Sequence, residues 1–575
     1  MPRRRFIAFA LVAATFTLLA VQAGTAAGPL KKKPPKHHVK KSPKPGMNAT
    51  QKLGHVKHIV VIYEENHSFD NLFGGWEGVN GRTQADAAHT TQINEAGTPY
   101  TCLRQDDVNL AALPATCTDS TTGSTFTSHF TNAPFLIDDF IKPSDTTCPP
   151  DPNSAFSSPN GFAKGTGSPG GCTRDIVHEF YQDQYQENGG AMNRFVTGSD
   201  AEGLVMGQYD TKALPLYTYL HGKTHPKYVI LDNFFQGAFG GSYLNHQFLI
   251  AAAAPTYPNA PAALHSVIDS NGMPVAYPPL YTPTGSVNRG PLTVVCPSPV
   301  PNRACGDYSV NTQQPSQQPF GAFGAKLPLQ NGTTIGDRLS AKGISWAWYS
   351  GGWSNAAGIV NGPGWTNGPG PNCSDPNVIP KSPYPFCPDG LFQFHHQPFN
   401  YFANYAPGTP GRDHLKDEAE FLSTVSSSGK SCGLPSVSFV KPIGEENEHP
   451  GYASTPLGEN HLVATLKAIE SSACAKDTMV VVTYDEFGGQ WDHVPPPGQA
   501  GGPAGPHDLF GPGPRIPAVV LSPYLTVPFG VDHTEYDTTA ILKTIEQRWG
   551  LQPLQARDAA EHSLAAVFDA RAPKK

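Results

Sequence analysis

Charge is scarce in this sequence. Only 15% of its 575 residues are Asp, Glu, Lys or Arg, the net charge is −7, and no folded stretch carries a basic stripe. That excludes nucleic acid as a scaffold partner. None of the ten cysteines forms a CxxC pair, which argues against zinc ribbons and thioredoxin-like redox motifs. Internal repeats are absent, and so is any apolar run of the ~20 residues that a helix needs to span a bilayer. The longest apolar stretch, IAFALVAATFTLLAV (7–21), follows the basic MPRRRF and precedes the small-residue AGTAAG. This is the pattern of a signal peptide over residues 1–27, cleaved after Ala27. Arg3 and Arg4 followed by Phe6-Ile7 also fit a loose twin-arginine pattern. Either route exports the chain to the periplasm, the cell surface or the medium, and no stable membrane span is expected.

What is abundant is glycine and proline, 58 of each, short of the share that marks disorder and consistent with long ordered loops. Residues 28–55, rich in Lys and Pro, read as an extended linker, and residues 56–575 as a single domain. An even cysteine count behind a signal peptide predicts disulfides. Pairing sequence neighbours gives 102–117, 148–172, 296–305, 373–387 and 432–474.

Six short β-branched runs recur: HIVVIY (58–63), KYVILD (227–232), GISWAWY (343–349), PSVSFV (435–440), TMVVVTY (478–484) and IPAVVLS (516–522). They are continuously apolar rather than alternating, which suits strands covered on both faces. Helical patterns lie between them at 214–224, 414–427 and 460–473, and a further one, 537–550, opens at the capping residue Asp537 and closes at Gly550. Alternation of strand and helix predicts an α/β fold with a central, mostly parallel sheet flanked by helices. Residues 80–170 and 254–335 read as long loop insertions. Ligands of such sheets bind beyond the carboxyl ends of the strands.

Polar clusters stand at those ends. The first run leads into Glu64, Glu65, Asn66, His67 and Asp70, and the fifth into Asp485, Glu486, Asp492 and His493. Carboxylates delivered twice to one sheet edge repel one another unless a cation lies between them, and a hard divalent ion with oxygen ligands answers that; helix or turn capping is the other reading for each cluster alone. In DNFFQGAFGGSYLNHQFLIAAA (232–253), Ser242 opens an apolar helix. Locally a simple cap is the plainer reading; a nucleophile or phosphate-facing hydroxyl is the other. Asn245, three residues on, shares that helix face and is placed to donate to a phosphoryl oxygen. His178, His395, His396, His449 and His493 sit in polar, loop-like contexts, where a set of imidazoles can bind phosphate or protonate a leaving group.

The motifs EENHSFDNLFG, HEFYQDQYQENGGAMNRFV, LDNFFQGAFGGSYLNH, GISWAWY, HHQPFNYF, LPSVSFVKP with EHP, TYDEFGGQWDHVPPP and YDTTAILKTIEQRWGL together resemble the bacterial phosphoesterase family of secreted acid phosphatases and phospholipases C. The resemblance covers roughly residues 56–560. It implies an alkaline-phosphatase-like fold and a phosphoric ester hydrolase acting on small phosphomonoesters or phospholipids. It implies that Glu65, Asn66, Asp485 and Glu486 bind a divalent metal ion that Ser242 also faces, that Ser242 is the nucleophile, and that His178, Asn245, His395, His396 and His449 surround the phosphate. Oxygen ligands suit Ca²⁺, Mg²⁺ or Mn²⁺, and the histidines keep Zn²⁺ or Fe open. Family phospholipases often carry Thr as nucleophile and Arg after the Asn. With Ser242, LNH and ENHSFDN in those places, the chain leans to the acid-phosphatase branch, acting through a phosphoseryl intermediate with His396 or His449 as proton donor. The extra C-terminal β-modules of the larger phospholipases are expected to be absent. Phospholipase C is the alternative within the class, and a non-catalytic secreted metal-binding protein the alternative outside it. The absence of a C-x-P-x-R motif disfavours a sulfatase.

Overall fold

The structure, a computed structural model, describes residues 47–104, 113–140, 173, 175–274, 281, 287–451 and 453–573. The signal peptide, most of the linker and the predicted 148–172 disulfide lie outside the described residues. The end of the segment read as linker is helical: α1, Ala49–His55, is capped by Asn48 and buries Leu53 and Lys52.

All six predicted runs are strands of one eight-stranded sheet. In chain order these are β1 (His58–Glu64), β2 (Tyr228–Leu231), β3 (Trp346–Ser350), β4 (Leu415–Asp417), β5 (Val437–Lys441), β6 (Thr478–Tyr484), β7 (Ala518–Leu521) and β8 (Phe529–Asp532). Their spatial order is β4-β3-β5-β1-β6-β7-β2-β8. Every pairing is parallel except those of β7, which runs against both β6 and β2. The residues of β3, β5, β6 and β7 are buried throughout, as covering on both faces requires. The two strands that periodicity missed, β4 and β8, are the short, partly exposed edges.

The helices of use below are α2 (Phe69–Leu72), α3 (Phe180–Glu187), α4 (Pro215–Leu220), α5 (Ser242–Ala251), α6 (Glu418–Ser427), α7 (Thr455–Ser471) and α8 (Thr539–Trp549). The segment expected to be helical from 414 begins instead with β4. Asp417 at its end caps α6 by accepting from the Ala419 N–H. Helix α7 begins at Thr455, earlier than the apolar periodicity indicates, because Ser454 caps it and Pro456 fits its first turn. Asp537 accepts from the Thr539 N–H at 2.6 Å, and α8 stops at Gly550, whose φ is +63°.

The register places the site. His58 to Glu64 pair residue by residue with Thr478 to Tyr484, so Glu65 and Asp485 leave the sheet side by side. Lys441 ends the adjoining strand β5.

Candidate active site

Three remote stretches converge at that edge. The Ser242 Oγ lies 3.5 Å from Glu65 Oε2, 3.5 Å from Asn66 Oδ1 and 3.4 Å from Glu486 Oε1. Asp485, the fourth expected ligand, is fully buried beside them; its Oδ1 accepts from the Glu486 N–H, and Oδ2 lies 3.6 Å from His246 Nδ1 with no hydrogen-bond partner. Ser242 does not cap α5. The N-cap is Gly241, which has no side chain to bond with, and the serine is the first helical residue, its hydroxyl turned to the carboxylates.

The turn that delivers Ser242 is held from below. Asn245 Oδ1 accepts from Ala238 N–H at 2.9 Å, and its Nδ2 donates to the carbonyls of Ala238, Gly240 and Gly241. Both amide hydrogens are thus engaged by the loop, so Asn245 braces the turn that presents Ser242, where its spacing suggests a donor to a phosphoryl oxygen. Gly240 has φ +81°, and a Cβ there would lie 2.5 Å from the Phe180 backbone nitrogen; only glycine lets the turn lie on the start of α3. Asp183 of α3 accepts the Gly240 N–H at 2.9 Å.

Asn66 is oriented by His449. The His449 Nδ1 bonds the Pro450 carbonyl at 2.6 Å and must carry the hydrogen, so Nε2 is an acceptor and takes the Asn66 amide at 2.9 Å. The Asn66 carbonyl oxygen is thereby left facing Ser242. His396 is not at the hydroxyl: its Nε2 lies 2.5 Å from Glu65 Oε1. His178 and His395, with Ser242, Asp175, Asn311, Gln393 and His449, line a cavity of about 260 Å³. His178 Nδ1 bonds the Ile176 carbonyl at 2.5 Å, and its Nε2 stands 3.5 Å from Glu486 Oε1. Asn311 comes from the segment 254–335 read as an insertion, which therefore supplies a wall of the cavity.

Two functional neighbours escaped the sequence reading. Lys441, fully buried, sets its Nζ 2.7 Å from Glu65 Oε1 and donates to the Tyr63 carbonyl at 2.9 Å. His246, one turn after Ser242, bonds the Ser242 carbonyl through Nδ1 at 2.8 Å and stacks on His396. The signal for Lys441 was its position, the end of a buried run, shared with Glu64 and Tyr484. For His246 it was the i+4 spacing from Ser242.

The residues fit a divalent cation. Glu65, Asp485 and Glu486 are three buried carboxylates facing one ammonium, Lys441, which leaves two negative charges unbalanced. Burial, with Glu65 nearby, pushes the Asp485 carboxyl well above its ordinary range, and burial does the same to Glu486 despite the Gly488 N–H. Burial also works against Glu65, but His396 and Lys441 outweigh it and hold that carboxyl well below its usual range. A second set that shares Glu65, with His246 and His396, has ligand atoms within 4.8 Å of one another.

The rest of the two acidic motifs does different work. Arg515, fully buried, grips Asp492 with Nε at 2.8 Å and Nη2 at 3.2 Å, and reaches Asp70 at 3.3 Å. His493 Nδ1 lies 2.5 Å from Asp70 Oδ2, and the Asp70 N–H donates to Asp492 Oδ2. Asp492 and His493 thus belong to a satisfied ionic lock that ties the loop after β6 to α2, apart from the carboxylates that face Ser242. Four of the predicted disulfides are formed, 102–117, 296–305, 373–387 and 432–474, which suits an oxidising compartment. Among the described residues no helix is long and apolar enough to cross a membrane.

A model of the phosphoesterase family matches residues 56–552. Phospholipase C B of Mycobacterium tuberculosis is 36% identical over 160 residues, 24% of this chain and only 30% of that protein. Phospholipase C A of the same organism is 24% identical over 527 residues, 87% of this chain and 74% of that protein. The non-hemolytic phospholipase C of Burkholderia pseudomallei is 31% identical over 183 residues, 26% of this chain and 25% of that protein. The family match spans every strand of the sheet and every carboxylate at its edge: the chain belongs to the phosphoesterase family.

Proposed function

We propose that the protein is an exported, metal-dependent phosphomonoesterase that works through a phosphoseryl intermediate on Ser242. Residues 1–27 direct export and residues 56–575 form the single catalytic domain. The observation that carries this reading is the placement of the Ser242 hydroxyl within 3.5 Å of oxygens from Glu65, Asn66 and Glu486. A divalent cation held by Glu65, Asn66, Asp485 and Glu486 would supply the positive charge that acidifies the hydroxyl and polarises a phosphoryl oxygen.

The chain's own groups do the rest. Ser242, at the N-terminus of α5, attacks phosphorus in line, and the helix end favours the anion that develops there. His178 is the proton donor to the leaving alcohol. Its Nε2 faces the cavity, and its Nδ1 is fixed by a backbone carbonyl. Both ring nitrogens of His449 are engaged, by Asn66 and by the Pro450 carbonyl, and the Nε2 of His396 lies against Glu65 rather than Ser242, so His178 is better placed than either. His395, on the cavity wall, is held neutral by burial and by His396 and donates a hydrogen bond to phosphate. In the release step water attacks the phosphorus and gives a proton to the now neutral His178, while the P–O bond to Ser242 breaks and phosphate is freed.

A polar cavity of about 260 Å³ accommodates a phosphate with a small alcohol better than a lipid with two acyl chains. The second reading, a phospholipase C, is favoured by the names of the relatives above. The test is a panel of p-nitrophenyl phosphate, bis-p-nitrophenyl phosphate and phosphatidylcholine vesicles with added Mn²⁺, Ca²⁺ or Zn²⁺. Monoester turnover that vanishes in Ser242→Ala supports the proposal. Turnover of phosphatidylcholine alone selects the second reading, and full activity after chelation overturns the metal role.

A further inference from the structure

A second cluster of ligating side chains lies away from the active site, where the turn after β8 meets the C-terminal segment. Glu535 is 6% exposed, and neither of its carboxylate oxygens has a hydrogen-bond partner. Glu561 is 3% exposed; its Oε1 accepts from the His562 N–H at 2.6 Å, and its Oε2 has no partner. The His562 Nδ1 bonds the Glu535 carbonyl at 3.3 Å, through a hydrogen that a bound ion would displace. It stands 3.7 Å from Glu535 Oε2 and 3.8 Å from Glu561 Oε1. These distances are too long for hydrogen bonds. They are close to the separation of about 3.4 Å between ligands that sit about 2.1 Å from one tetrahedral ion. The neighbouring guanidinium only partly offsets the pair, because Arg557 is already bonded to Asp508 at 2.6 Å and to Asp537 at 2.9 Å. Gly505 closes the other side, where a Cβ would stand 2.3 Å from Glu535 Oε1, so no side chain fills the space beside the carboxylate. Burial pushes the Glu535 carboxyl up to about 8 and the Glu561 carboxyl up to about 10, so the ionised pair is costly as it stands, and a cation that joins the two carboxylates and the imidazole removes that cost.

We infer that Glu535, Glu561 and His562 form a second, structural site for a divalent transition-metal ion. The ion clasps the turn that follows β8 to the segment that follows residues 556–560, next to the loop at Gly505. Two carboxylates and an imidazole suit Zn²⁺ and Mn²⁺ better than Ca²⁺, which takes more oxygen ligands. A further cluster of this kind, Glu418 with Glu446 and His461, is weaker, because the Glu446 side chain is 41% exposed and only one oxygen of Glu418 lacks a hydrogen-bond partner.

The test counts metal on the full-length protein. Protein stripped with EDTA, equilibrated with Zn²⁺ and desalted, is analysed by plasma mass spectrometry. Glu535→Gln/Glu561→Gln is expected to retain one equivalent fewer than the wild type while it keeps monoester turnover, which separates this site from the active site. Equal counts overturn the proposal. Should the double variant not fold, His562→Ala replaces an exposed ring, and calorimetric titration with Zn²⁺ then decides. A dissociation constant for that equivalent raised by about tenfold or more upholds the clasp, and an unchanged titration overturns it.

Discussion

Replacing Lys441 with Met isolates the charge argument on which the cation site rests. The Nζ stands 2.7 Å from Glu65 Oε1 with both side chains fully buried. At an effective dielectric of about 20 this attraction is about 6 kcal/mol. Part of it is offset by no longer having to desolvate the ammonium, so the net loss expected for breaking one side of a buried pair is about 3–5 kcal/mol. Unfolding entropy of about 2.1 cal/mol/K per residue over 575 residues gives about 1.2 kcal/mol per degree. The chelated variant should therefore melt about 2.5–4 °C below the chelated wild type. Added Mn²⁺ should narrow that gap, because the variant presents three uncompensated carboxylates to the ion where the wild type presents two. The measurement is differential scanning calorimetry of both proteins in EDTA and in Mn²⁺. Equal melting in EDTA would show that Lys441 does not carry the compensating charge. A gap that ignores Mn²⁺ would trace the loss to the hydrogen bonds with the Tyr63 and Glu64 carbonyls and refute the electrostatic account.

His178→Gln should lower kcat by about 10²–10⁴-fold on alkyl phosphates and much less on p-nitrophenyl phosphate, whose phenolate needs little protonation; equal losses on both would remove His178 from the proton-donor role. Burial pushes the Asp183 carboxyl up to about 8 despite the Gly240 N–H, and an acid with a raised folded-state value contributes stability at low pH that is lost as pH rises through that value. Asp183→Asn should accordingly gain on the wild type in melting temperature between pH 6 and pH 9, and a constant difference across that range would contradict it. Cys432→Ser/Cys474→Ser opens a loop of 42 residues, worth about 4 kcal/mol of chain entropy, read as a lower denaturant midpoint with activity kept; no shift would mean that this crosslink does not constrain the unfolded chain.

The sheet was legible because burial on both faces demands continuous apolar runs, and six of its strands carry them. Leu415–Asp417 and Phe529–Asp532 were not, since an edge strand needs neither length nor a buried second face. In Leu415–Asp417 the residues that follow are good helix formers, and the segment reads as one helix until the pairing of Trp348 with Leu415 is seen. The antiparallel direction of β7 was equally hidden: Val519 pairs with Val482 on one side and Ile230 on the other, and nothing in an apolar run encodes its sense.

The site was legible where chemistry and position coincide and illegible where a side chain serves another side chain. Glu65, Asn66, Asp485, Glu486 and Ser242 meet because each follows a strand or opens a helix at one edge. Asn245 has the right residue type on the right face, yet its amide is spent on three backbone carbonyls, a use that spacing cannot distinguish from donation to a ligand. Asp492 and His493 repeat the strand-then-acid pattern of Asp485 and Glu486, but a single distant arginine, Arg515, decides that they lock rather than ligate. Whether a buried carboxylate binds a metal or a guanidinium depends on which cation the fold brings within reach, and that choice is made by residues far apart in the chain. Gly488 shows the same dependence in the backbone. Its φ is +66°, a Cβ there would lie 2.4 Å from the Asn66 carbonyl, and its N–H holds Glu486 Oε2 at 2.6 Å. Any other residue would strain the turn and push the first acidic motif away from the second, so the glycine after Phe487 is as much a determinant of the cation site as the carboxylates that would touch the ion.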